Sequence, residues 1–175
     1  GPGITAVREL ESLTASARSL ADLRIVVGQF GGLSALSRQL LQALRHRSAT
    51  VVASDEPDAS AQAAAANRFA ATVYVGFESG IDTVTTIHYY SVPQFESAGG
   101  RALAETIADR CRAEQTGLLP IVAGMRLPVL RETRMPAVLF TVGAVQEALD
   151  QSSGLVQAIV EALESWAAGS TLSTG

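Results

Sequence analysis

The stretch Leu130-Arg131-Glu132-Thr133-Arg134-Met135-Pro136-Ala137-Val138-Leu139-Phe140-Thr141-Val142-Gly143 carries the reading of the fold. Charged residues lead to a proline, an apolar run follows, and a glycine closes it. Proline cannot donate to a strand ladder and sits best at a strand entrance. Ala137 to Phe140 therefore reads as a short buried strand, entered through Pro136 and left through Gly143.

Working outward, the same grammar repeats. Leu23 to Val27 is a continuous, β-branched apolar run, a second buried strand. Gly28, Gly31 and Gly32 open a turn, and Leu33, Leu36, Leu40, Leu41 and Leu44 follow at helical spacing. Thr50 to Ala53 reads as a strand, and Asp55 to Asp58 as a turn. Asp58 is placed to cap an alanine-rich helix running to about Ala70. Thr72 to Phe77 and Thr83 to Tyr90 read as strands. Ser97 to Gln115 reads as a helix with Leu103, Ile107 and Cys111 on one face, stopped by Gly117. A loop containing Pro120, Gly124 and Pro128 is expected before the strand at Ala137. Ser152 or Ser153 would cap a last helix that buries Leu155, Ile159, Leu163 and Trp166. Strands alternating with helices predict an α/β domain of three layers. Helices lie on both faces of a largely parallel or mixed central sheet. The domain is expected over residues 21–168. Residues 1–20 read as a lead-in beginning with a tag scar at Gly1-Pro2, and residues 169–175 as a disordered tail.

The 175 residues suffice for one domain with a sizeable core; they are 47% hydrophobic and 17% charged. No apolar run approaches the roughly 20 residues that cross a bilayer. Net charge is −4, every cation except the two histidines is an arginine, and no basic stripe with interleaved aromatics occurs. Nucleic acid is therefore not an expected partner. One cysteine allows no internal disulfide, which fits a cytoplasmic location.

In order and spacing, residues 23–166 resemble the zinc-dependent N-acetylmuramoyl-L-alanine amidases, which cleave peptidoglycan. Pro136-Ala137-Val138-Leu139-Phe140-Thr141-Val142-Gly143 is similar to that family's Pro-Ala-Val-Leu-Val-Glu-x-Gly, with Thr141 in place of the catalytic glutamate. Val27-Gly28-Gln29-Phe30-Gly31-Gly32 stands where the family has Asp-Pro-Gly-His-Gly-Gly, with Phe30 in place of a zinc-binding histidine. Leu33-Ser34-Ala35 has no carboxylate where the next ligand, a glutamate, would stand, and the loop there looks shortened. Ala66-Asn67 matches the family's Ala-Asn. Tyr74-Val75-Gly76-Phe77-Glu78 sets Glu78 at the position of the third ligand, a histidine. Ile87-His88-Tyr89-Tyr90-Ser91 is similar to Val-Tyr-Tyr-Tyr-Ser, which puts His88 on a structural strand.

The resemblance thus implies an amidase fold whose four site positions are Phe30, Ser34, Glu78 and Thr141. It implies no metal site and no catalytic residue. Degenerate cytoplasmic members of the family, which regulate peptidoglycan precursor synthesis, resemble the chain further, through Val7-Arg8-Glu9-Leu10-Glu11 and Leu130 to Pro136. They imply a binding module in cell-wall biogenesis rather than a hydrolase. The partner would be a cell-wall biosynthetic protein, such as the enolpyruvyl transferase that begins precursor synthesis, or a peptidoglycan fragment. The alternative is an active zinc amidase with displaced ligands, using Glu78 and His88.

Each residue also has a plainer reading. Phe30 is a core aromatic at a glycine turn, and the glycines form a turn rather than a phosphate cradle, because neither G-x-G-x-x-G nor G-K-[ST] is present. Glu78 is a loop carboxylate or a cleft residue. Arg131, Glu132 and Arg134 are a solvated loop or a charged cleft rim. Cys111 is an inert buried thiol, and His46 suits the C-terminal dipole of its helix.

Overall fold

The computed structural model describes residues 19–114 and 116–169. Residues 1–18 of the expected lead-in, residues 170–175 of the expected tail and the expected helix end at Gln115 lie outside them. A 3₁₀ turn at Leu20–Asp22 precedes β1 (Arg24–Gln29). Then follow α1 (Ser34–His46), β2 (Thr50–Ser54), α2 (Ala59–Arg68), β3 (Val73–Ser79), β4 (Thr86–Val92), β5 (Phe95–Glu96) and α3 (Ala98–Ala113). The chain continues through β6 (Ile121–Met125), α4 (Pro128–Glu132), β7 (Ala137–Val142), α5 (Val145–Asp150) and α6 (Ser152–Gly169).

The seven strands form one sheet in the order β2-β1-β3-β7-β4, with β4 pairing both β5 and β6. Pairings among β2, β1, β3 and β7 are parallel, as is β4 with β6, whereas β4 runs antiparallel to β7 and to β5. The expected layered α/β architecture is present, with a mixed sheet.

Strand alternation divides the core in two. Ile25, Val27, Val75, Phe77, Phe140 and Ile87 point to a face packed with the apolar sides of α1, α3 and α6. Leu36, Leu40, Leu41 and Leu44 are the buried stripe of α1. Val26, Tyr74, Ala137 and Leu139 point the other way, under Ala63 and Ala66 of α2 and Val129 and Leu130 of α4. The small alanines let α2 lie close to the sheet. Its first turn is capped as expected, with Asp58 Oδ2 accepting from the Ala61 amide at 2.8 Å. Ser97 Oγ likewise accepts from the Gly100 amide at 3.0 Å and starts α3.

The expected loop between Gly117 and Pro136 is instead β6 followed by α4. Pro120 and Gly124 hid the strand, since both weaken a strand pattern. Only five residues long, β6 lies at the sheet edge with Ile121 and Met125 exposed, so neither alternation nor length marked it. Pro128 opens α4 at a first-turn position that needs no amide donor. Arg131 and Glu132 therefore belong to a helix, not to a loop. Gly169 ends α6 rather than starting a tail, and Trp166 is half-buried against the core rather than fully buried.

Candidate functional site

The strands β1, β3 and β7 run parallel and end together. Gln29 pairs with Phe77, so Phe30, one residue further, comes beside Glu78. Glu78 pairs with Thr141, and Thr141 with Thr86. Phe30, Glu78 and Thr141 thus form one row across the carboxyl end of the sheet, on the face that α2 and α4 cover. The carboxyl ends of parallel strands are where open α/β sheets place their ligands. Ser34 stands apart, exposed at the start of α1.

Beside this row is an open cavity of about 270 Å³, lined by Phe30, Pro57, Ala59, Glu78, Leu127, Pro128, Val129 and Leu139. Glu78 is its only ionisable wall residue. The Thr141 hydroxyl donates to Glu78 Oε1 at 2.9 Å, so Thr141 on β7 fastens Glu78 on β3.

A buried polar network supports the row from behind. Tyr74, wholly buried, donates its hydroxyl to Gln62 Oε1. Burial first, and the charge of Glu78 second, push the Tyr74 phenol far above its ordinary range. Gln62 Nε2 donates to the carbonyls of Glu56 (2.9 Å) and Gln29 (3.4 Å). Gln29 Oε1 accepts from the amides of Gly31 (2.6 Å) and Leu33 (3.4 Å), while its Nε2 donates to Asp55 at 2.8 Å. Gly31 and Gly32 adopt positive φ of 110° and 76°. Their turn is thus a structural one whose amides are already occupied in part by Gln29. Sequence reasoning missed Gln29 and Gln62; two glutamines beside strand ends carry no local signal.

Arg131, Glu132 and Arg134 do not line the cavity; the preceding turn, Leu127 to Val129, does. Ser60 Oγ donates to Glu132 Oε2 at 2.6 Å, and Arg131 approaches the same carboxylate at 3.8 Å. Asn67 donates to the Glu132 carbonyl and accepts from the Arg134 amide, both at 2.9 Å. Asn67 therefore fastens α2 to the segment entering β7.

His88 shares the face of Glu78 but pairs with Leu139, two strands from β3, roughly 10 Å away laterally. It is 8% exposed, its Nδ1 lacks a partner, and its pKa lies below the ordinary value. Burial causes that lowering, opposed by Glu78 and by a hydrogen bond to the Ala123 backbone. Cys111 is fully buried, and burial pushes its thiol up to about 11.

No family model matches the chain, and no curated protein matches it. Solved structures do. The catalytic domain of CwlV, an N-acetylmuramoyl-L-alanine amidase from Bacillus (Paenibacillus) polymyxa var. colistinus, is 20% identical with a TM-score of 0.63, the match covering 82% of this chain and 98% of that one. The apo form of Ami1, an amidase from Mycobacterium abscessus, is 17% identical with a TM-score of 0.67, covering 82% and 98%. The amidase CwlD from Clostridioides difficile, solved in complex with the lipoprotein GerS, is 12% identical with a TM-score of 0.58, covering 87% and 100%. The chain therefore has the fold of the N-acetylmuramoyl-L-alanine amidases. At these identities the likeness extends to the fold alone.

A catalytic zinc takes three protein ligands and leaves one position for water. Phe30, Ser34, Glu78 and Thr141 offer a phenyl ring, an exposed hydroxyl, one carboxylate and a second hydroxyl that holds it. Among the described residues no three of His, Cys, Asp and Glu come together as metal ligands. The residues do not fit zinc. Among the described residues no helix is long and apolar enough to cross a membrane.

Proposed function

We propose that the chain is a catalytically inactive member of the peptidoglycan amidases that acts as a binding and regulatory module in cell-wall biosynthesis. One observation carries the reading. The row at the strand ends holds Phe30, Glu78 and Thr141, and the sole carboxylate among them is engaged by the threonine hydroxyl. Amide hydrolysis in a zinc amidase needs a metal-activated water and a carboxylate to move its proton. Phe30 binds no metal, and Thr141 is no base near neutral pH. The alternative amidase, built on Glu78 and His88, has its two groups separated by β7, and among the described residues no third ligand joins them.

The module would act in the cytoplasm on a cell-wall biosynthetic protein, with the enolpyruvyl transferase of precursor synthesis as the first partner to try. That CwlD was solved with a lipoprotein bound supports a protein-binding use of this fold. The test is zinc loading of the purified chain, desalting and metal analysis, followed by muropeptide digestion. The expected result is no retained zinc and no released peptide. One tightly held zinc per chain, with chelator-sensitive peptide release, overturns the proposal.

A further inference from the structure

We infer that the cavity beside Glu78 is a binding site for a lysine-type side chain, an aliphatic primary ammonium carried on a short peptide. The inference rests on the binding-module reading above and names the ligand chemistry of that same site.

The cavity has the size for one side chain. At about 270 Å³ it falls below the roughly 300 Å³ at which sites for whole drug-sized ligands begin. Its walls are apolar: the Phe30 ring, Leu127, Pro128, Val129 and Leu139. Such walls receive a methylene stem and leave its polar tip to find a partner. The one partner present is Glu78. Among the described residues no arginine or histidine forms an ion pair with it. A carboxylate in apolar surroundings without its own counter-ion is a site for a cation from outside.

The geometry selects the kind of cation. Oε1 of Glu78 is already engaged by Thr141, which leaves Oε2 as the free acceptor. The absence of a side chain on Gly80 leaves the space that Thr141 Cγ2 fills. A guanidinium binds best when both carboxylate oxygens receive its fork, whereas an ammonium acts as a point charge and needs one. A divalent metal needs more donors than the row supplies. The Phe30 face adds attraction for either organic cation without discriminating between them.

The experiment is a titration of the whole, isotopically labelled chain followed by amide NMR shifts. Three blocked tripeptides serve as probes: Ala-Lys-Ala, Ala-norleucine-Ala and Ala-Arg-Ala. Saturable shifts centred on Glu78, Thr141, Val129 and Leu139 are expected with the lysine peptide. Affinity should be about tenfold weaker for norleucine, and weaker also for arginine. Glu78→Gln, nearly isosteric, should lose about tenfold for lysine while retaining a dispersed spectrum. Thr141→Val frees the second oxygen and should narrow the preference for lysine over arginine. Equal binding of lysine and norleucine, an unaffected Glu78→Gln, or no saturable shift up to the solubility limit overturns the inference. A chain that holds no zinc and releases no peptide, yet ignores lysine, sinks this inference alone. Retained zinc with hydrolysis sinks the functional reading beneath it.

Discussion

Replacing Gly76 by alanine tests the packing that supports the site. A Cβ at Gly76 would meet the Tyr74 hydroxyl and lie 2.7 Å from Cε1 and 2.8 Å from Cζ of the same ring. The ring is rigid and fully buried, and its hydroxyl hydrogen-bonds Gln62, which in turn holds the Glu56 and Gln29 carbonyls. It cannot swing aside without breaking that bond. Overpacking of this kind costs about 1–3 kcal/mol. Stranding the Gln62 acceptor adds about 1–3 kcal/mol. The expected loss is therefore about 3 kcal/mol, or a fall of about 6–12 °C in Tm for a domain of this size. Urea melts followed by far-UV circular dichroism and by Trp166 fluorescence would measure it. Tyr74→Phe removes the nearest clashing atom, so it should cost less in the Gly76→Ala background than alone, with coupling of at least about 0.5 kcal/mol. A Gly76→Ala chain within about 0.5 kcal/mol of the parent would refute the reasoning.

Two further predictions concern titrating groups. Cys111, buried and with its thiol pushed up to about 11, should react with Ellman's reagent near neutral pH about two orders of magnitude more slowly in the native chain than in strong urea. Comparable rates in the two states would mean the α3 face is open. His88 has a folded pKa below that of the unfolded chain, so its contribution to stability is whole above about pH 6.5 and declines as pH falls through that value. His88→Gln should remove this acid limb from the pH dependence of the urea midpoint. A parent chain that gains stability relative to the variant on acidification would show instead that Glu78 dominates His88.

Much of the fold was legible because its signals are local. The leucine spacing of α1, the caps Asp58 and Ser97, and the β-branched runs of β1 and β4 each depend on neighbours within a few residues. β6 and α4 were not legible. One is a short edge strand broken by glycine, and the other a five-residue helix stabilised by packing on α2 and β7 rather than by propensity. Phe30, Glu78 and Thr141 were singled out by resemblance, yet nothing local relates them. Glu78 and Thr141 lie 63 residues apart in the chain and meet in one hydrogen bond.

The sequence by itself determined the alternation of strand and helix and the chemical poverty of the site positions, since residue identity and periodicity are properties of the chain. The tertiary structure alone decided that β7 lies between β3 and β4. That order puts a hydroxyl beside the carboxylate, sets β7 between His88 and Glu78, and leaves an apolar cavity next to one free carboxylate oxygen. Strand order and register arise from burying two sheet faces at once under different helices, a condition on the whole chain that no segment expresses alone.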